Sequence, residues 1–183
     1  MGCTGVFQKS SATPTSVQYI SENEYAVYRA LIEARYIQRE TQLIVIQDHT
    51  GVEMLDLSDQ MENLINNFSN LSADMITDFR LKNQQTWPLD NNLELDIPIS
   101  LLSEDEFHQI FTSQDGWKQF YAQYPGSQGV MTLSRVGFNT KMDKALVYVG
   151  NQSYWLAGEG FYLLLALENG HWNVIGEEMV WIS

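Results

Sequence analysis

A single cysteine, Cys3, stands in the 183 residues, so no disulfide can form within the chain. Basic residues are scarce: ten Lys and Arg face 23 Asp and Glu, a formal net charge of −13. Phosphate recognition needs clustered cations, so this balance excludes a nucleic-acid partner and disfavours direct adsorption to anionic lipid. No apolar run reaches the about 20 residues that a membrane-spanning helix requires. The three histidines, His49, His108 and His171, are far apart and share no H-x-x-x-H or E-x-x-H spacing, so no metal site is indicated. Nucleophile-elbow, P-loop and dinucleotide-binding signatures are missing too, and no cofactor is expected. Gly158-Glu159-Gly160 is a glycine pair without phosphate-loop context, read here as a bend before a strand.

What is present belongs to a packed protein. Hydrophobic residues make up 44% of the chain and aromatics 12%, enough for one core without staples. The scattered carboxylates read first as a solubilising surface and second as an acidic docking face. Residues 1–20 differ from the rest. They are rich in Ser and Thr, carry Pro14 and show no hydrophobic period, which is a tether composition. Residues 21–183 then read as a single α+β domain, with helices packed on an antiparallel sheet that ends in a four-stranded C-terminal meander.

Two capping boxes open helices. Ser21 and Glu24 precede Tyr25, Tyr28, Leu31 and Ile32 on one helical face; Ser103 and Glu106 precede Phe107, Ile110 and Phe111. Met61, Leu64, Ile65 and Phe68 form another stripe, and so do Met75, Ile76 and Phe79. Trp117, Phe120, Tyr121 and Tyr124 recur at helical spacing, which reads as core. Leu43–Ile46 is a β-branched run of strand length, and Leu93, Leu95 and Ile97 alternate as a strand that Pro98 ends or confines to an edge. Val130–Phe138, Ala145–Val149, Phe161–Leu167 and Trp172–Trp181 are the expected meander. Asn169-Gly170 is its hairpin turn, and a shift in alternation near Gly176 signals a bulge.

Two resemblances attach to these segments. Gly2-Cys3 followed by a Ser/Thr-rich tether resembles the start of a mature bacterial lipoprotein, in which the cysteine thiol is acylated. That implies an extracytoplasmic domain held to a membrane only by a lipid on Cys3. The alternative is a natural start with an incidental thiol and a cytoplasmic location. Separately, Ser134-Arg-Val-Gly-Phe-Asn139, Ala145-Leu-Val-Tyr-Val-Gly150, Gly158-Glu-Gly-Phe-Tyr162 and Trp181-Ile-Ser183 resemble a group of uncharacterised bacterial, lipoprotein-like proteins with such a meander. That group implies no activity.

Two places are candidate sites. The segment 151–158 should join two meander strands, yet it holds Tyr154, Trp155 and Leu156 together. Apolar clusters in loops mark contacts, so this is either a surface for a protein partner or a lid folded over the core. Asp48 and His49 end the first strand, where a carboxylate can orient an imidazole; with Arg135 they would make a small pocket enzyme of the hydrolase or isomerase kind. Asp-His-Thr-Gly is equally good turn chemistry. The leading expectation is a non-enzymatic, membrane-tethered binding or assembly domain, with the pocket enzyme as the alternative. If Cys3 is a lipidation site, the gene encodes about 15–25 residues upstream of Met1 that include an apolar run. A stop codon directly before Met1 would refute this.

Overall fold

The computed structural model describes residues 19–51, 64, 68 and 71–183. Cys3 and nearly all of the tether lie outside the described residues, and so does most of the Met61–Phe68 stripe, of which Leu64 and Phe68 are described and buried. Among the described residues are four helices, α1 (Glu22–Arg35), α2 (Ala73–Lys82), α3 (Glu104–Phe111) and α4 (Gly116–Gln123). The strands are β1 (Leu43–Gln47), β2 (Ile99–Leu102), β3 (Ser127–Leu133), β4 (Gly137–Phe138), β5 (Lys144–Tyr154), β6 (Ala157–Glu168) and β7 (His171–Ile182). Both capping boxes form as the sequence predicts, with the Ser21 and Ser103 hydroxyls accepting from the Glu24 and Glu106 amides.

The domain is α+β, but its sheet is mixed rather than antiparallel throughout. The strands lie in the order β2-β1-β3-β5-β6-β7, with β4 beside β5. β1 runs parallel to both β2 and β3, and only from β3 onward are neighbours antiparallel. Connection length explains the difference. Helix-bearing crossovers separate β1 from β2 and β2 from β3, and such crossovers permit parallel pairing. Two-residue turns join β5 to β6 and β6 to β7, and these force antiparallel pairing. The expected meander therefore holds in part, as β3-β5-β6-β7.

Several local expectations are corrected. Leu93–Ile97 is irregular: Glu94 adopts φ 40°, and Leu93 fills the core from a loop. The strand starts only after Pro98, at β2, and is indeed an edge. Val130–Phe138 is not one strand, since it breaks at Ser134-Arg135-Val136 between β3 and β4. The bulge near Gly176 is at Ile175, because Leu164 and Leu165 pair with Gly176 and Val174; a second bulge at Val180 follows from the pairing of Gly160 with Trp181 and Phe161 with Met179. β7 is the long outer edge, and two bulges twist it away from continued pairing. Asn169 and Gly170 both have positive φ, 53° and 83°, which fits the twist of the hairpin.

The sheet is covered on both faces. On one, α1 places Tyr25, Tyr28, Leu31 and Ile32 against Ile44, Met131, Val147 and Leu163. The other face carries two separate clusters. α2, with Leu64 and Phe68, packs on Leu146, Tyr148, Tyr162 and Leu164; α3 and α4 pack on Val45, Leu102 and Val130.

The break at Ser134-Arg135 is tied down polar group by polar group. Arg135 is fully buried. Its guanidinium donates from Nε to Glu24 Oε1 at 2.7 Å and from a terminal nitrogen to Glu24 Oε2 at 2.9 Å, and both side chains are 1% exposed. Asn83 accepts from the Arg135 amide and donates to its carbonyl, and the Val136 amide donates to Glu24. The Tyr28 hydroxyl donates to the Ser134 carbonyl, while Ser134 Oγ accepts from the Tyr148 amide. One charge pair thus joins α1, α2, the β3–β4 break and β5.

Burial pushes the Glu24 carboxyl up, but bonds from Arg135 and the Ser21 amide outweigh it and hold Glu24 below its ordinary value of 4.5. A depressed folded value means that the group stabilises the fold above the unfolded pKa. That contribution is lost as pH falls below about 4.5 and through the folded value. Glu24→Gln should destabilise by about 3–5 kcal/mol in urea at pH 7, because it strands the Arg135 charge. Glu24→Leu with Arg135→Met should lose clearly less than the two single changes summed. In the double variant the stability lost on acidification from pH 5 to 3 should shrink. Additive losses would refute the coupling.

Candidate functional site

Between the two clusters on the second face, the sheet is left open. A cleft of about 530 Å³ lies there, within the range of small-ligand sites. Its floor is β1, β3 and β5, through Gln47, Val130, Thr132, Tyr148 and Gly150. One wall is Phe107, Phe111 and Trp117 from α3 and α4. The opposite wall is Trp181 and Ser183 at the end of β7, and Trp155 closes the side next to the β5–β6 turn. Among the described residues, no Lys, Arg, His, Asp or Glu side chain lines it. Thr132 donates its hydroxyl to Gln47 Oε1 at 3.0 Å, which fixes the amide on the floor. Burial pushes the Tyr148 phenol above its ordinary value, only partly offset by the bond from Trp181, so the hydroxyl stays neutral at physiological pH.

Trp181 is seated by glycines. Gly150 and Gly160 pair across β5 and β6, and Gly158 follows opposite Gln152. A Cβ on Gly160 would come within 2.0 Å of Trp181 Nε1, and one on Gly158 within 2.9 Å of the same ring. The indole therefore lies directly on bare backbone. Its Nε1 donates to the Tyr148 hydroxyl at 2.8 Å. Gly158-Glu159-Gly160 is thus not a bend but a flat seat inside β6.

The segment 151–158 is a tight hairpin rather than a loop. β5 runs through Tyr154, β6 begins at Ala157, and Trp155-Leu156 is the turn. Tyr154 is 56% exposed, Trp155 48% and Leu156 83%. Trp155 nevertheless meets the α3–α4 wall edge-on, with ring centroids 6.3 Å from Phe111 at 83° and 6.5 Å from Trp117 at 87°. The tip is therefore neither a closed lid nor a free loop: one side of Trp155 faces the cleft wall and the rest faces solvent.

No family model, no curated protein and no solved structure matches the chain. What can be said of the site comes from its own geometry.

Asp48, His49 and Arg135 do not line the cleft. His49 Nδ1 and Asp48 Oδ1 are 2.7 Å apart, as a carboxylate-oriented imidazole would be. Their backbone carries pairing on past β1: Asp48 donates to Leu102 and accepts from Leu89, Thr50 donates to Trp87, and His49 bridges Pro88. The Arg135 guanidinium is held by Glu24 and stacks 5.0 Å over Trp87. His108 and His171 are exposed. Among the described residues, no group of three or more His, Cys, Asp or Glu could hold a metal, and no helix is long and apolar enough to cross a membrane.

The sequence singles out Trp155 as a candidate contact but reads Trp117 as core, and places Phe107 and Phe111 only on a helix and Trp181 only on a strand. They are core on one side and cleft on the other. A hairpin centred on Trp155-Leu156 would by itself put Gly150 opposite Phe161; the bulge between Gln152 and Tyr154 shifts the register by one and brings Gly160 there, so the facing glycines emerge only in the fold.

Gly160→Ala should destabilise by about 1–3 kcal/mol, the usual range for overpacking, and shift the tryptophan emission as Trp181 is displaced. In a Trp181→Ala background the same change should be nearly neutral. An equal loss in both backgrounds would refute the seat.

Proposed function

We propose that the chain is a non-enzymatic binding or assembly domain that meets a protein partner through Tyr154, Trp155 and Leu156, and that an acylated Cys3 tethers it to a membrane on the extracytoplasmic side. The observation that carries the reading is the hairpin tip. Three consecutive large apolar side chains stand at a two-residue turn, each about half or more exposed. Such a cluster is costly in water unless it is used, and Trp and Tyr dominate binding hot spots. The Ser/Thr-rich segment after Gly2-Cys3 supports the tether. Similarity to the lipoprotein-like bacterial group at Ser134–Asn139 and Gly158–Tyr162 points the same way.

The alternative, a small pocket enzyme, draws on the Asp48–His49 hydrogen bond. It is the weaker reading, because Arg135 is committed to Glu24 and none of the three side chains reaches the cleft.

A photo-crosslinking residue at Leu156, introduced in cells that make the protein, should give one discrete protein adduct. The same residue at the exposed Leu167, at the other end of β6, should not. Trp155→Ala should abolish the adduct while lowering stability by about 1 kcal/mol, the worth of its edge-on ring contacts. Equal labelling from both positions would refute the contact.

A further inference from the structure

Beyond a partner at the hairpin tip, we infer that the cleft beneath it is an aromatic cage for a quaternary ammonium group of the choline type. Six aromatic side chains line it: Phe107, Phe111, Trp117, Tyr148, Trp155 and Trp181. Trp155 stands nearly perpendicular to both Phe111 and Trp117, so the lining rings do not share one orientation. A ring face carries negative potential and attracts a cation within about 6 Å of its centroid, most strongly for Trp.

Three observations select an alkylated cation over other occupants. Among the described residues no Lys or Arg lines the cleft, so no side chain of theirs repels a positive charge or recruits an anion there. Among the described residues no Asp or Glu side chain lines it either, so a compact, strongly hydrated ammonium or metal ion would lose its water without a side-chain counter-charge there. A methylated ammonium, whose charge is diffuse and weakly hydrated, loses far less. Finally, the molecule carries a net charge of −13, which enriches cations at its surface.

The chain uses the same interaction internally. Arg35 sits 4.0 Å over the Phe161 ring, Lys82 4.9 Å over Phe138 and Arg135 5.0 Å over Trp87. No cation of the described residues is placed over a ring of the cleft. The volume of about 530 Å³ exceeds one trimethylammonium group, so the rest of the ligand, with its hydroxyl or ester end, has room toward Gln47 and Thr132.

The test is calorimetric titration of the whole chain with choline and with 3,3-dimethylbutan-1-ol, the uncharged carbon isostere. Choline should bind about tenfold or more tightly than the alcohol, quench tryptophan emission, and weaken as salt is raised. Trp155→Ala should lower choline affinity about tenfold, and Gln47→Lys, which sets a positive charge on the floor, should abolish it. Leu167→Ala, exposed at the other end of β6 and away from the cleft, should leave choline binding unchanged. A second arm adds phosphatidylcholine vesicles. Binding to free choline alone identifies a soluble metabolite, and binding to vesicles identifies a lipid headgroup; either meets the proposal. Equal affinity for choline and the alcohol would overturn it while leaving an apolar binding cleft. Absence of binding to both would overturn it outright. The crosslinking outcome at Leu156 is independent of each of these results.

Discussion

The Glu24–Arg135 pair is the constraint on which the arrangement of layers depends. Arg135 is buried as a full charge, and such a charge is tolerable only where its partner is held in place. The capping box supplies that place. Glu24 is fixed by Ser21 at the first turn of α1, so the helix start and the β3–β4 break are set relative to each other. Because the strand breaks there, Ser134 is free to hook the β5 backbone at Tyr148. The position of Tyr148 in turn sets where Trp181 can hydrogen-bond, and Trp181 is one wall of the cleft. The charge pair on one face of the sheet thereby reaches the site on the other through backbone contacts.

The cleft itself is a consequence of two helix groups that do not meet. α2 covers β5 and β6, while α3 and α4 cover β1 and β3. Where side chains would normally close the gap, β5 and β6 present Gly150 and Gly160. The glycines lower the floor by the thickness of a side chain and let one indole lie against backbone. Glycine in a strand interior weakens the strand, and here the loss is offset by the Trp181 contact and its bond to Tyr148.

The parts of this fold legible in the sequence were those written in local chemistry. Both capping boxes, the Asn169-Gly170 turn and the β6 run depend on neighbours a few residues away, and all formed as read. The expected strand at Leu93–Ile97 failed because alternation alone does not distinguish a strand from a loop that drops every second side chain into the core. The antiparallel assignment failed because the pairing of β1 with β2 and β3 is decided by long crossovers, which leave no short-range signal. Arg135 was misjudged for a related reason: its partner is 111 positions away, and only the fold brings Glu24 to it. At the site, Trp155 stood out because it was apolar where polarity was expected, whereas Phe111 and Trp117 were hidden by meeting the helical period of a core stripe.

The distribution of charge follows from the same economy of contacts. Arg29, Arg35, Lys82 and Arg135 are each paired with a carboxylate, and none of these pairs lies on the cleft. With few basic residues and several of them committed elsewhere, the cleft is walled by rings and amides inside an anionic molecule. In such a place the field is set by the ring faces and by the distant excess of carboxylates, and both have the same sign. A neutral ligand would gain from the apolar walls alone. A diffuse cation gains from the walls and from the field, while the lack of Asp and Glu side chains among the described lining residues spares it competition from smaller, better hydrated ions.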